Sequence, residues 1–133
     1  MLTRTIPSTG ESVPAIGLGT WKVFDVGTST SVRAGPRAVL DEFVKLGGTL
    51  VDSSPMYGRS EQVIGDLARD VGVADRLFMA TKVWTTGRQK GIAEMQESMR
   101  RMGVEQMDLM QVHNLVDVDT HLATLAEDRK SVV

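Results

Sequence analysis

The chain has 133 residues, 41% of them hydrophobic, and 15 basic against 17 acidic residues for a net charge of -2. That is one domain's worth of material with enough apolar content for a core, and its charge leaves no electrostatic footprint for nucleic acid or an anionic membrane. The absence of cysteine and the presence of only two histidines exclude a disulfide framework, a thiol nucleophile and the common metal centres, so no metal site is expected.

The first fifteen residues place turn chemistry at Thr9-Gly10 between two short segments flanked by Pro7 and Pro14, which predicts a small hairpin. Ile16-Gly17-Leu18-Gly19-Thr20 then reads as a first core strand, its glycines marking close approach of another backbone or a ligand. Asp25 to Gly35 is a loop by composition, and Pro36 opens a helix carrying Val39, Leu40, Phe43 and Val44 before Gly47-Gly48 stop it. Thr49 to Asp52 is a short buried strand, followed by the loop Ser53 to Gly58. The next helix begins near Ser60, whose hydroxyl is placed to cap it, presents Val63, Ile64, Leu67, Ala68 and Val71 on one face, and ends at Gly72.

Leu77 to Trp84 is apolar on both parities until Lys82, the pattern of a strand covered on both faces in a parallel sheet. A third helix sets Ile92, Met95, Met99 and Met102 three and four apart and stops at Gly103; the methionine stripe reads as core packing. Met107 to His113 is the fourth strand, and a last helix occupies part of Asp119 to Lys130. No apolar run of the N-terminus resembles a signal peptide, and none approaches the roughly 20 residues of a membrane span, so a cytoplasmic protein is expected.

Strand starts at Ile16, Thr49, Leu77 and Met107 lie 33, 28 and 30 residues apart. A (β/α)8 barrel of about 250 residues allots about 31 to each unit, so the period and strict alternation point to four units of a barrel, with a doubly wound layer fold as the runner-up. The dinucleotide fingerprint is absent, since its third glycine would fall at Lys22, and there is no phosphate loop, HExxH or Gly-x-Ser-x-Gly elbow.

Position carries the functional signal instead. Asp52, Lys82 and His113 fall at the C-terminal ends of successive strands, where barrel enzymes build their sites, and Tyr57 follows in the loop beyond Asp52. Each alone has an ordinary structural explanation, but four ionisable groups converging on one rim point to chemistry, because an unpaired buried charge is costly. An aspartate beside a lysine holds the ammonium in place, and a cation near a phenol lowers its pKa from about 10, making the tyrosine a usable general acid. A neutral histidine donates a hydrogen bond to a carbonyl oxygen, and hydride or another nucleophile must come from a cofactor.

The motifs Ile16-Gly17-Leu18-Gly19-Thr20-Trp21, Val51-Asp52-Ser53-Ser54-Pro55-Met56-Tyr57-Gly58, Thr81-Lys82-Val83-Trp84 and Gln111-Val112-His113-Asn114 resemble, in order and spacing, the first half of an aldo-keto reductase. The likeness runs from about Arg4 to Leu125 and includes Ser60-Glu61 at the start of a helix. It implies a TIM-type (β/α)8 barrel truncated to about its first four βα units, with residues 1–15 as a hairpin plugging the bottom, 16–130 as the units, and the C-terminal half absent. It further implies reduction of an aldehyde or ketone with NADPH, or NADH, and no metal. By resemblance, Tyr57 donates the proton, Lys82 and Asp52 tune it, and His113 orients the carbonyl. Gly19, Thr20, Trp21, Asp52 and Asn114 match cofactor-binding positions, and Trp21, Tyr57, Trp84 and His113 line the substrate pocket.

Two further expectations accompany this reading. The exposed edge strands of a half barrel favour self-association. A binding or regulatory module without turnover, and a lyase forming a Schiff base on Lys82, are the competing functions.

Overall fold

The computed structural model describes residues 2–131, so Met1, Val132 and Val133, on which the expected domain limits fall, lie outside the described residues. Strands β1 (Thr3–Thr5) and β2 (Ser12–Pro14) form the antiparallel hairpin, pairing Thr3 with Pro14 and Thr5 with Ser12. Its turn closes where the amides of Thr9 and Gly10 reach the carbonyl of Ile6, with Gly10 at a φ of 74° that a glycine adopts without penalty.

The remaining strands, β3 (Leu18–Gly19), β4 (Leu50–Asp52), β5 (Phe78–Val83) and β6 (Leu109–Val112), make one parallel sheet in the order β3-β4-β5-β6. Chain order equals spatial order, with no reversal of the kind that defines a doubly wound sheet. That consecutive order is the one a barrel requires, and the runner-up fold drops out.

Helices α1 (Thr30–Lys45), α2 (Ser60–Val71) and α3 (Arg88–Met102) connect the strands, and α4 (Val118–Ser131) follows the last of them. The core lies between the sheet and the first three helices, where Leu40, Val51, Val63, Ile64, Leu67, Met79 and Met102 are buried together. Full burial of such a side chain is worth about 1.5–3 kcal/mol, so this layer holds the sheet in place. Met95 and Met102 are buried and Met99 is half-buried, as expected of packing residues.

Four local expectations are corrected. The first core strand shrinks from 16–20 to Leu18–Gly19; Gly17 lies outside it but does sit close to another chain segment, since a Cβ there would meet Leu50 Cδ2 at 2.5 Å. Helix α1 starts at Thr30 rather than Pro36, which is buried inside it although its ring removes one helical hydrogen bond. Tertiary ties explain the early start: the Arg33 guanidinium donates to the Gly27 carbonyl at 3.0 Å and to Asp66 of α2 at 2.9 Å. Ser60 does not cap α2; its hydroxyl donates to the Thr20 carbonyl at 3.1 Å, fastening the helix to the end of β3. The fourth strand is Leu109–Val112, and His113 begins a single 3-10 turn.

Candidate active site

Side chains alternate between the two faces of a strand. On β5, Thr81 and Val83 point toward the helices, and Thr81 donates its hydroxyl hydrogen to the buried Glu61 of α2 at 2.6 Å. Lys82 therefore faces the other way. Its register partner is Gln111, while Ala80, two residues earlier on the same face, pairs with Asp52, so Asp52, Lys82 and Gln111 share one face at the strands' C-terminal ends.

There the Lys82 ammonium donates to Asp52 Oδ2 and to the Ser53 carbonyl, both at 2.6 Å. The second Asp52 oxygen accepts from the Gln111 amide at 2.9 Å. Thr20, fully buried, closes the adjoining corner by bonding to the Asp52 carbonyl at 3.1 Å and Ser53 Oγ at 2.9 Å.

Tyr57 leans over this pair. The Lys82 ammonium lies 5.3 Å from the centre of its ring, and the Tyr57 and His113 rings meet edge to face at 5.8 Å. Gly58 makes the bend after Tyr57 with a φ of 59°, and any side chain there would strike Asp25, whose carboxylate accepts the Arg59 amide at 2.9 Å. Trp21 and Trp84 flank the group, with ring centres 6.2 Å from Tyr57 and 6.4 Å from His113. Trp21 is 61% exposed and Trp84 42%, and the Lys22 ammonium lies over the Trp21 ring, 4.5 Å from its centre. The Glu94 carboxylate of α3 takes the Trp84 backbone N–H and fixes that residue's position.

Asp52, Tyr57, Lys82 and His113 thus come together, with Trp21 and Trp84 beside them. Asn114 stands exposed at a left-handed φ of 54°, one residue past His113, in a turn where Leu115 and Asp117 also have positive φ. Gly19, at the end of β3, has open space where a side chain would lie, since a Cβ there would meet nothing within 4 Å.

The electrostatics correct one expectation. The Tyr57 phenol is pushed above its ordinary 10.0, by burial first and by the Asp52 charge second. Lysine was expected to lower it, but Lys82 is already paired with Asp52, and that carboxylate is the charge Tyr57 feels. His113 is held below its ordinary 6.5, by burial and then by the nearby Lys82 ammonium, with Asp52 opposing. The imidazole is therefore neutral at pH 7.

Two participants were not singled out from the sequence. Gln111 holds Asp52, and Ser54, fully buried, lies 2.7 Å from His113 Nδ1. Both sit inside motifs quoted above; the signal was the period-two alternation that puts Gln111 on the same face as His113.

A parallel β/α sheet whose ionisable groups gather at the C-terminal strand ends defines the barrel-enzyme class. Residues 15–128 match the Aldo/keto reductase family, and the chain belongs to it. It is 36% identical over 106 residues to a methylglyoxal reductase of Escherichia coli, covering 77% of this chain and 36% of that protein. It superposes with a TM-score of 0.82 and 28% identity on a thermostable aldo-keto reductase solved with the inhibitor epalrestat, covering 98% of this chain and 50% of that one. For an aldo-keto reductase of Klebsiella pneumoniae solved with NADPH, the TM-score is 0.73 at 28% identity, over 96% of this chain and 47% of that one. The chain thus spans about a third of the curated relative and half of each solved barrel.

Proposed function

We propose that this segment carries the carbonyl-reducing site of an NAD(P)H-dependent oxidoreductase acting on an aldehyde or ketone. The observation that carries the reading is the Lys82–Asp52 ion pair at 2.6 Å lying beneath Tyr57, with His113 across from it. Relatives named as methylglyoxal and aldehyde reductases, and a neighbour solved with NADPH, support the same chemistry and cofactor.

The residues present fit the nicotinamide end of such a cofactor. The open face at Gly19, which pairs with Asp52 across the sheet, and the exposed Trp21 leave room for a flat ring, with Thr20 buried behind Asp52, and Asn114 is assigned to the same end by its place beside His113. A bound nicotinamide supplies hydride to the carbonyl carbon. Tyr57 gives its phenolic proton to the carbonyl oxygen as negative charge develops there. The phenol carries its proton at neutral pH, as a general acid must, although its upward shift makes it a weaker donor than an unperturbed tyrosine. The Lys82 ammonium, 5.3 Å from the centre of the Tyr57 ring, is held in place beside the phenol by Asp52, which Gln111 holds in turn. His113 donates a hydrogen bond to the same oxygen, and Trp21 and Trp84 wall the substrate pocket on either side.

The test is loss of NADPH absorbance with a reactive aromatic aldehyde, comparing this chain with Tyr57→Phe, alongside quenching of tryptophan fluorescence by NADPH. Turnover abolished by the substitution supports the reading. Equal turnover in both removes Tyr57 from the role, and NADPH binding without oxidation makes the chain a binding module.

A further inference from the structure

We propose that Ser54 is a positioning residue that locks His113 in the tautomer with its proton on Nε2, presenting that nitrogen as a donor at the mouth of the site. The proposal deepens the reading above, in which His113 orients a carbonyl. A serine hydroxyl has one hydrogen to give and two lone pairs to accept with. Ser54 is fully buried, and its Oγ lies 3.2 Å from the Met56 amide nitrogen and 2.7 Å from His113 Nδ1.

A backbone N–H can only donate, so Met56 occupies a lone pair of the Ser54 oxygen. If His113 carried its proton on Nδ1, that proton would take the second lone pair, and the hydroxyl hydrogen would be buried with no acceptor. With Nδ1 bare, the hydroxyl hydrogen points to it and every group is satisfied. Buried hydroxyls in folded proteins are paired, and this is the one arrangement that pairs this one. The imidazole has a single proton to place, because burial and the Lys82 ammonium keep it neutral. That proton goes to Nε2, which has no protein partner among the described residues and lies on the side of the ring away from Ser54.

Groups facing His113 from the neighbouring elements are Ser54 and Tyr57 from the β4–α2 loop, Lys82 and Trp84 from β5 and the loop that follows it, and Asp52 from β4. None of the other four is hydrogen-bonded to Nδ1, so the tautomer rests on Ser54. The chain's other histidine, His121, supplies an internal reference: its Nε2 faces the Thr85 carbonyl at 2.8 Å, and a carbonyl accepts only, so that Nε2 carries a hydrogen.

The experiment is long-range proton–nitrogen NMR on the whole chain with labelled histidine, across neutral and acidic pH, with His113 assigned by its disappearance in His113→Asn. The parent is expected to show the Nε2–H pattern at His113. Ser54→Ala is expected to turn that pattern into a tautomer mixture and to raise the His113 titration midpoint, while His121 stays unchanged and reports an intact fold. A parent His113 protonated on Nδ1 overturns the proposal without need of any variant. So does an Nε2–H pattern and midpoint that survive Ser54→Ala. If the mixture appears but carbonyl turnover is unaffected or absent in both proteins, the tautomer lock stands and the carbonyl-orienting role of His113 falls.

Discussion

Replacing Asp52 with Asn removes one negative charge from the centre of the site while keeping its shape. Two consequences follow from the geometry. The Lys82 ammonium, with its side chain 12% exposed, loses its ionic partner but keeps the Ser53 carbonyl at 2.6 Å, and the Asn oxygen can still accept from it. The new amide group meets the Gln111 amide donor unless Gln111 turns over to offer its oxygen. Losing one member of a buried ion pair costs about 3–5 kcal/mol and of an exposed one about 0–1 kcal/mol. With Asp52 34% exposed and one Lys82 acceptor retained, the expected loss is about 2 kcal/mol, read as a lower urea midpoint at neutral pH.

The second consequence concerns Tyr57, the chain's single tyrosine, so that the tyrosinate absorbance band reports it alone. Burial and the Asp52 charge together raise its pKa. Asp52→Asn removes the second cause, and the titration midpoint moves down toward 10 while burial keeps it above. The folded state binds the phenolic proton more tightly than the unfolded chain does, so the parent loses stability as pH rises above about 10. That alkaline loss is expected to be smaller in the variant. A Tyr57 titration that is unchanged or moves upward would refute the assignment of Asp52 as the charge acting on it.

Further outcomes are open to direct measurement. In α2, a Cβ at Gly65 would lie 2.6 Å from the carbonyl oxygens of Arg101 and Met102, so Gly65→Ala must force α2 and α3 apart. It is expected to destabilise by about 1–3 kcal/mol in urea unfolding, where an unobstructed helical site would gain about 1 kcal/mol from the same change. Thr81→Val takes away the hydroxyl that reaches the fully buried Glu61 at 2.6 Å; a loss of at least about 2 kcal/mol is expected, and a Tm equal to the parent's would count against that bond. His113 is neutral in the folded state at pH values where the unfolded chain takes up a proton, so stability present above about 6.5 declines as pH falls below it. Unfolding midpoints measured across this acidic window should decline less steeply in His113→Asn than in the parent.

Much of the architecture is written in the periodicity of the sequence. The two-sided apolar run at 77–84 has the pattern of a strand covered on both faces, and the stripe from Val63 to Val71 with Gly72 behind it that of an amphipathic helix with a stop, observed as a left-handed Gly72 at a φ of 75°. The same periodicity puts Asp52, Lys82 and His113 at or next to successive strand ends, which is why this candidate cluster was legible in the sequence. Local signals misled where a distant residue outbid a local one. Ser60 looks like a cap because serine caps helices, yet the Thr20 carbonyl claims its hydroxyl. Pro36 looks like a helix start, yet Arg33 bonded to Gly27 and Asp66 carries the helix a full turn and more ahead of it.

Sequence alone determined which residue types stand at the rim and in what order, because strand length and alternation depend on near neighbours. Tertiary structure alone decided what those residues do to one another. That Lys82 belongs to Asp52 rather than to the phenol, that Gln111 holds the other carboxylate oxygen, and that Ser54 faces His113 are matters of a few ångströms across separations of 30, 59 and 59 positions. The direction of the Tyr57 shift followed from them, because a pKa sums burial and charge over distance, and distance between remote residues exists only once the chain has folded.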